Sequence, residues 1–230
     1  MGRAKEIIVK VIPSKIANEF VKKHHYSGKV VMSKLHFGCF LDYKLHGVLQ
    51  YGDPFVKKNV IDFVTDSKWN EMLELNRMAF DESLPKYSES RCIAVSIMLL
   101  KKNAPHIKWL LSYSDATDCG DGCIYRASGF LLTNIKKNFN LMTKNNDTIS
   151  VIGFNSSSVI KKRLNYDGTG IRAFLNKKGY KPKVGFQLRY IYLIDKTCKI
   201  TVPILPFSKI DEMGAGMYKG EKITLAERKE

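Results

Sequence analysis

Apolar residues gather in strand-length runs and helix-spaced stripes along much of this chain. In EIIVKVIP, residues 6–13, a β-branched run predicts an opening strand stopped by Pro13. Ser14 stands where a helix cap is expected, and Ile16, Ala17, Phe20 and Val21 follow at helical spacing, so a first helix should run out in KKHHYSGK. LHFGCFLDYKLHGVLQYGDP, residues 35–54, holds two β-rich runs around a polar Asp42-Tyr43-Lys44 turn and ends at Gly52-Asp53-Pro54, which predicts a hairpin.

The next segment, WNEMLELNRMAF, has helix-favouring composition, but Leu73, Leu75 and Arg77 alternate as on one face of a strand, and the alternation is preferred. SESRCIAVSIMLLKKNAP predicts a helix capped by Ser88 or Ser90, apolar on most faces, with Lys101 and Lys102 at the negative end of its dipole and Pro105 closing it. IKWLLSYSD has the unbroken apolar core of a central strand, and GDGCIYRASGF begins a helix after two glycines. The order strand, helix, strand, helix implies an α/β fold with a ligand site at the carboxyl ends of the strands, where Asp115 falls. A carboxylate there can bind or deprotonate an amine, or it can cap the following helix.

VGFQLRYIYLID supplies a closing strand, and the residues after it look like a loosely attached tail. The expected organisation is one domain over residues 1–200 with a tail over 201–230. Between Lys136 and Lys183 the composition shifts: Lys136, Lys137, Lys144, Lys161, Lys162, Arg163, Arg172, Lys177, Lys178, Lys181 and Lys183 stand against Asp147 and Asp167, eleven bases to two acids. That insertion precedes the closing strand. The whole chain of 230 residues carries a formal charge of +16 and a pI near 9.6, which points to a polyanionic partner, nucleic acid first. Five scattered cysteines and no apolar opening segment suggest a reduced, intracellular setting, and no run is long and apolar enough to span a membrane.

Cys119 and Cys123 have half the spacing of a zinc site, but no second Cys/His pair of suitable spacing accompanies them. The same turn lacks the lysine of a phosphate loop and the full glycine pattern of a dinucleotide loop, so its glycines are read as permitting a tight strand-to-helix turn.

Several stretches taken together, GVLQYGDP, LELNRMAFDESLPKYSESRCIA, LLSYSD, CGDGCIYRASGF and LRYIYLID, resemble the Mom family of phage and prophage DNA-modification proteins from about His24 to Asp195. The resemblance implies a fold similar to GNAT acyltransferases, a single domain with a central mixed sheet flanked by helices. It implies transfer of a carbamoylmethyl-type group to the exocyclic amine of adenine in double-stranded DNA, which shields phage DNA from restriction enzymes in the host cytoplasm. Carried onto this sequence, it makes Asp115, Tyr125, Ser90 and Arg77 catalytic, Ser88, Ser90 and Arg91 donor-binding, and Ser112 and Tyr113 base-binding. Lys161, Lys162, Arg163, Arg172, Lys177 and Lys178 would hold the DNA backbone, and His25 and Tyr26 would hold iron.

Taken singly, these residues have plainer roles: Arg77 neutralising Glu89, Tyr125 as a core aromatic, His25 at a helix end. PKYSESRC contains none of the glycines expected where such folds cradle coenzyme A, so acetyl-coenzyme A and an aminoacyl-tRNA such as glycyl-tRNA stand as equal donors. A GNAT-like N-acetyltransferase of a small amine or protein, and a non-enzymatic DNA-binding protein, are the competing readings. The sequence leaves monomer or dimer open.

Overall fold

The computed structural model describes residues 2–138, 141–142, 148–149 and 151–227. Lys144 and Asp147, counted among the charges above, lie outside the described residues. Strand β1 (Ile8–Val11) leads into helix α1 (Ser14–His24). Extended Pro13, not Ser14, occupies the cap position, and Ser14 is the first helical residue. Ala17 and Val21 of the predicted stripe are buried, whereas Ile16 is exposed. Strands β2 (Leu35–Leu41) and β3 (Lys44–Gly52) form the expected hairpin. Asp42 and Tyr43 make its turn with φ of 49° and 63°, the double positive φ that matches strand twist, and Lys44 already belongs to β3.

Strand β4 (Met72–Phe80) confirms the alternation reading of LELNRMAF, and helix α2 (Ser88–Asn103) crosses to β5 (Trp109–Ala116). Left-handed Tyr87, φ 70°, is the cap residue of α2, so neither Ser88 nor Ser90 caps it; their hydroxyls donate instead to the carbonyls of Pro85 and Tyr87. The helix is not apolar all round. Cys92, Ile93, Ser96, Ile97 and Leu100 are buried along one face while Met98 is exposed. Each fully buried aliphatic on that face contributes about 1.5–3 kcal/mol.

After helix α3 (Cys123–Ala127) and strand β6 (Leu131–Lys137) comes the insertion. It comprises β7 (Leu141–Met142), β8 (Thr148–Ile149), α4 (Val151–Ser156), α5 (Ser158–Arg163), α6 (Ile171–Lys177) and β9 (Lys181–Pro182). It has its own small core of Leu141, Ile149, Phe154, Phe174, Leu175 and Tyr180. Strand β10 (Phe186–Leu193) then inserts between β5 and β6. Helix α7 (Ser208–Glu212) and a hairpin of β11 (Met217–Tyr218) and β12 (Glu221–Lys222) follow.

The main sheet has seven strands in the order β1-β2-β3-β4-β5-β10-β6. Every pairing is antiparallel except β4 with β5, joined through α2. Alternation sorts the two faces: Val48 of β3 packs with Ala17 and Val21 of α1, while Leu49 and Tyr51 pack with Cys92, Ile93 and Ile97 of α2. This is the mixed α/β sheet flanked by helices that the sequence predicts, with a basic insertion before the last strand of the main sheet.

The tail departs from expectation. Ile210, Ala215 and Met217 are buried in the main core. They are anchored by the CGDGC turn: the fully buried Asp121 carboxylate accepts from the backbone N–H of Met217 at 3.0 Å and pairs with Arg126 at 3.0 Å. Gly122 caps α3 at φ 87°, where a Cβ would lie 2.5 Å from the Tyr190 ring, so the turn requires glycine. The turn latches the tail to the core. Breaking such a buried pair by deleting one partner costs about 3–5 kcal/mol. Asp121→Ala should therefore lower the denaturant midpoint markedly, and an unchanged midpoint would contradict the latch.

Candidate active site

Strands β4 and β5 pair only from Met72 to Leu75 against Trp109 to Ser112. Past that point β4 stays with β3 as far as Phe80, and β5 stays with β10 as far as Ala116. The two parallel neighbours therefore separate and leave a wedge-shaped opening in the sheet. At its vertex the buried Ser112 hydroxyl donates to the Leu75 carbonyl at 3.0 Å, tying the strands together where backbone pairing stops.

The register of β3 against β4 shows what aims side chains into this opening. Tyr51 faces Leu75 and Gln50 faces Arg77, so Asn76 is an extra residue, a β-bulge. Glu74 opposes Gly52, and Gly52 and Gln50 lie on one face of β3, so the bulge puts Glu74 and Arg77 on the same face of the sheet. Simple alternation places Arg77 with Leu73 and Leu75; the bulge moves it to the other side. Tyr113 and Asp115 of β5 lie on that same face as Glu74. Together with Tyr26, Asn76, Ser114 and Gln187 these residues line a cleft of ≈ 150 Å³ at the carboxyl ends of the strands.

Within the cleft the Tyr26 hydroxyl donates to Asp115 Oδ2 at 3.1 Å, and Asp115 Oδ1 accepts from the Thr117 N–H at 3.0 Å. Asp115 thus turns the loop after β5 but does not cap α3, whose cap is Gly122. Burial of the phenol, reinforced by the Asp115 charge, raises the Tyr26 pKa and keeps its proton on. Arg77 donates from Nε to the Lys29 carbonyl at 2.9 Å and from Nη1 to the Asn76 carbonyl at 2.6 Å. It makes no pair with Glu89; burial lowers its pKa, and the phenol of Tyr26 and the carboxylate of Glu74 oppose that. Glu74, enclosed in the strand with Arg77 nearby, has its carboxyl raised to about 7 by burial. A carboxyl poised near neutrality in a cleft is suited to taking a proton from a substrate. Burial also lifts the Tyr113 hydroxyl to about 12.

The other expected site residues divide. Tyr125 is buried beneath the cleft, packed against Phe130 and Tyr190, and its pKa is raised to about 12 by burial. It is a core aromatic, not a cleft wall. Ser88 is buried, whereas Ser90 and Arg91 line a separate cavity of ≈ 480 Å³ with Lys5, Lys86, Tyr87 and Ala127, at the start of α2. Lys162, Arg163, Arg172, Lys177 and Lys178 are exposed on the insertion, and Lys161 is partly buried there, its Nζ donating to the Asn155 carbonyl. The chain leaves for the insertion and returns from it beside the loop after β5. Asn138 donates to Thr117 Oγ1 at 2.9 Å, Lys183 pairs with Asp118, and Gly185 passes so close to Thr117 that a Cβ would lie 2.2 Å from its hydroxyl.

His25 and Tyr26 do not fit an iron site. The backbone N–H of Ser27 donates to His25 Nδ1 at 3.1 Å, which places the ring proton on Nε2, and the Tyr26 phenol is committed to Asp115. Burial, with the charge of Arg77, lowers the His25 pKa to about 4. No group of three or more His, Cys, Asp or Glu that could hold a metal occurs among the described residues. Glu74 is the cleft carboxyl that motif reading missed. The available signal was an acid between Leu73 and Leu75 in a strand, where a surface role is hard to assign.

The fold and cleft define an α/β protein with two carboxyl side chains and an arginine lining an opening inside its sheet. The profile of the Mom protein family matches residues 6–209, and the chain belongs to that family. The methylcarbamoylase Mom of Escherichia phage Mu is 32% identical over 128 residues, 55% of this chain and 53% of the phage Mu protein, so the match spans about half of that relative. Among solved structures, a Bacillus subtilis acetyltransferase in complex with coenzyme A aligns at 12% identity over 81% of this chain and 98% of its own, with a TM-score of 0.44. The ribosomal-protein-S18-alanine N-acetyltransferase of Escherichia coli aligns at 10% identity over 82% and 94%, with a TM-score of 0.46. Likenesses at that level carry nothing about activity.

Because the folded-state Glu74 value lies above the ordinary carboxyl value of 4.5, the folded chain holds this proton more tightly than the unfolded one. Its contribution to stability is full below pH 4.5 and is lost as pH rises towards about 7. Glu74→Gln removes that titration, so in urea unfolding the variant should gain on the parent between about pH 5 and about pH 8. An equal difference at both would contradict the placement of Glu74.

Proposed function

We propose that this protein is an enzyme that adds a carbamoylmethyl-type group to the exocyclic amine of adenine in double-stranded DNA, protecting phage DNA from restriction. The observation that carries the reading is the placement of Glu74, Arg77, Tyr113 and Asp115 on one face of the opened sheet, in a chain of the Mom family. An adenine amine is a poor nucleophile because its lone pair is delocalised into the ring, so it must lose a proton as its nitrogen bonds the incoming carbon, while the bond from that carbon to its carrier breaks and the carrier leaves with the electron pair. Glu74 is suited to accept that proton. Asp115, held by Tyr26 and Thr117, orients the amine, and Tyr113, 43% exposed, offers a face for the base. Arg77 stabilises negative charge developing on the donor.

The carrier of the donor is held in the cavity at the start of α2. Lys5, Lys86, Arg91 and Ser90 there suit a phosphate-bearing carrier, which coenzyme A and aminoacyl-tRNA both are. The exposed bases of the insertion bind the DNA backbone, which makes binding steeply salt dependent.

Nucleoside mass spectrometry of plasmid DNA from expressing cells tests the reaction. The parent should yield an adenine nucleoside heavier by the carbamoylmethyl unit, and Glu74→Gln should lower its yield by about 10²-fold. Unmodified plasmid from soluble parent protein would refute the reading in favour of an acetyltransferase of another amine. For the insertion, replacing Lys162, Lys177 and Lys178 together by Ala should flatten the plot of log affinity against log salt by about 0.9 for each phosphate that the variant no longer neutralises. An unchanged slope would remove the insertion from the DNA interface.

A further inference from the structure

The segment between α1 and β2 borders the cleft along its length. Tyr26 is part of the cleft wall, the Lys29 carbonyl accepts from Arg77, and the Met32 carbonyl accepts from Asn76 Nδ2 at 3.4 Å. Ser33 Oγ donates to Asn76 Oδ1 at 3.0 Å, and the Lys34 N–H donates to the Tyr51 carbonyl at 2.7 Å. The backbone here is fastened to the bulge that shapes the site. The Met32 side chain nevertheless is 94% exposed, with Val30 exposed beside it. Among the other exposed large side chains, Tyr43 at 99% sits on the hairpin turn of β2 and β3, and Tyr87 lines the cavity at the start of α2. Met32 instead follows the exposed Lys29 by three residues, on a backbone bonded to Asn76 of the cleft wall.

From this we infer that Met32 is a wedge that enters the DNA stack and fills the space left when the target adenine swings into the cleft. The inference rests on the adenine-modification reading and deepens it. The reacting face is recessed between β4 and β5, so a base still paired in a duplex cannot reach Glu74 and Asp115, and extrusion costs a few kcal/mol. An apolar side chain inserted between base steps compensates the lost stacking, and methionine is among the residues that serve this way. Its unbranched thioether adapts to either neighbouring base, in keeping with insertion that reads no sequence. Backbone attachment to Asn76 and Arg77 couples the wedge directly to the wall that receives the base.

The test uses mixed-sequence duplexes in which 2-aminopurine, a fluorescent adenine analogue quenched by stacking, replaces adenine at different positions. Binding is followed separately by anisotropy. The full-length parent should bind and brighten the duplex. Met32→Ala, a change at an exposed side chain, should bind within about twofold while the brightening falls about tenfold. Placing an abasic site opposite the 2-aminopurine removes the cost of unpairing and should restore the variant's response, which a merely structural defect would not allow. Equal brightening by parent and variant, or a parent that binds without brightening, overturns the wedge. A parent that binds no duplex overturns the DNA reading itself, and the wedge with it.

Discussion

The site depends on a conflict of strand pairing. Parallel β4 and β5 each have an antiparallel partner on the other side, and past Leu75 and Ser112 those outer ladders continue while the ladder between them stops. Two strands cannot diverge inside a sheet without exposing backbone polar groups, and here the exposure creates a cleft rather than a fault. The Ser112 hydroxyl fixes where divergence begins, and the bulge at Asn76 decides which side chains face it. Without the bulge, Arg77 would share the α2 side with Leu73 and Leu75, and Glu74 would face the opening without it.

Much of the fold is legible in the sequence because it is local. The β-branched runs, Pro13, the Asp42-Tyr43 turn and the stripe of α1 each act within a few residues, and those elements are found where expected. The placement of Asp115 at a strand end follows in the same way. What could not be read is relational. Which residue bulges depends on the register of β3 against β4, so the shared face of Glu74 and Arg77 is invisible in LELNRMAF. Tyr125 looks equally suited to a site or a core until Phe130 and Tyr190 are seen around it. The caps of α1 and α2 escape residue-type reasoning because Pro13 and left-handed Tyr87 set the chain direction by backbone geometry, leaving Ser14, Ser88 and Ser90 no such task.

The CGDGC turn gives a similar lesson. Its two cysteines invite a metal and its glycines invite a phosphate, yet its central residue is a buried carboxylate that fastens the tail to the core at Met217. The charged groups of the chain thus have separate duties: Asp121 and Arg126 in packing, Glu74, Arg77 and Asp115 in the cleft, and the lysines of the insertion outside it. The net charge of +16 belongs to the whole chain and says little of the first two groups.

The central claim is that adenine is received in the opening between β4 and β5. An oligonucleotide carrying photoreactive 8-azidoadenine, crosslinked to the protein and mapped by peptide mass spectrometry, measures this most directly. Adducts are expected on peptides containing Tyr26, residues 74–77 and residues 113–115. Adducts confined to the cavity at the start of α2, or to the insertion, would contradict it.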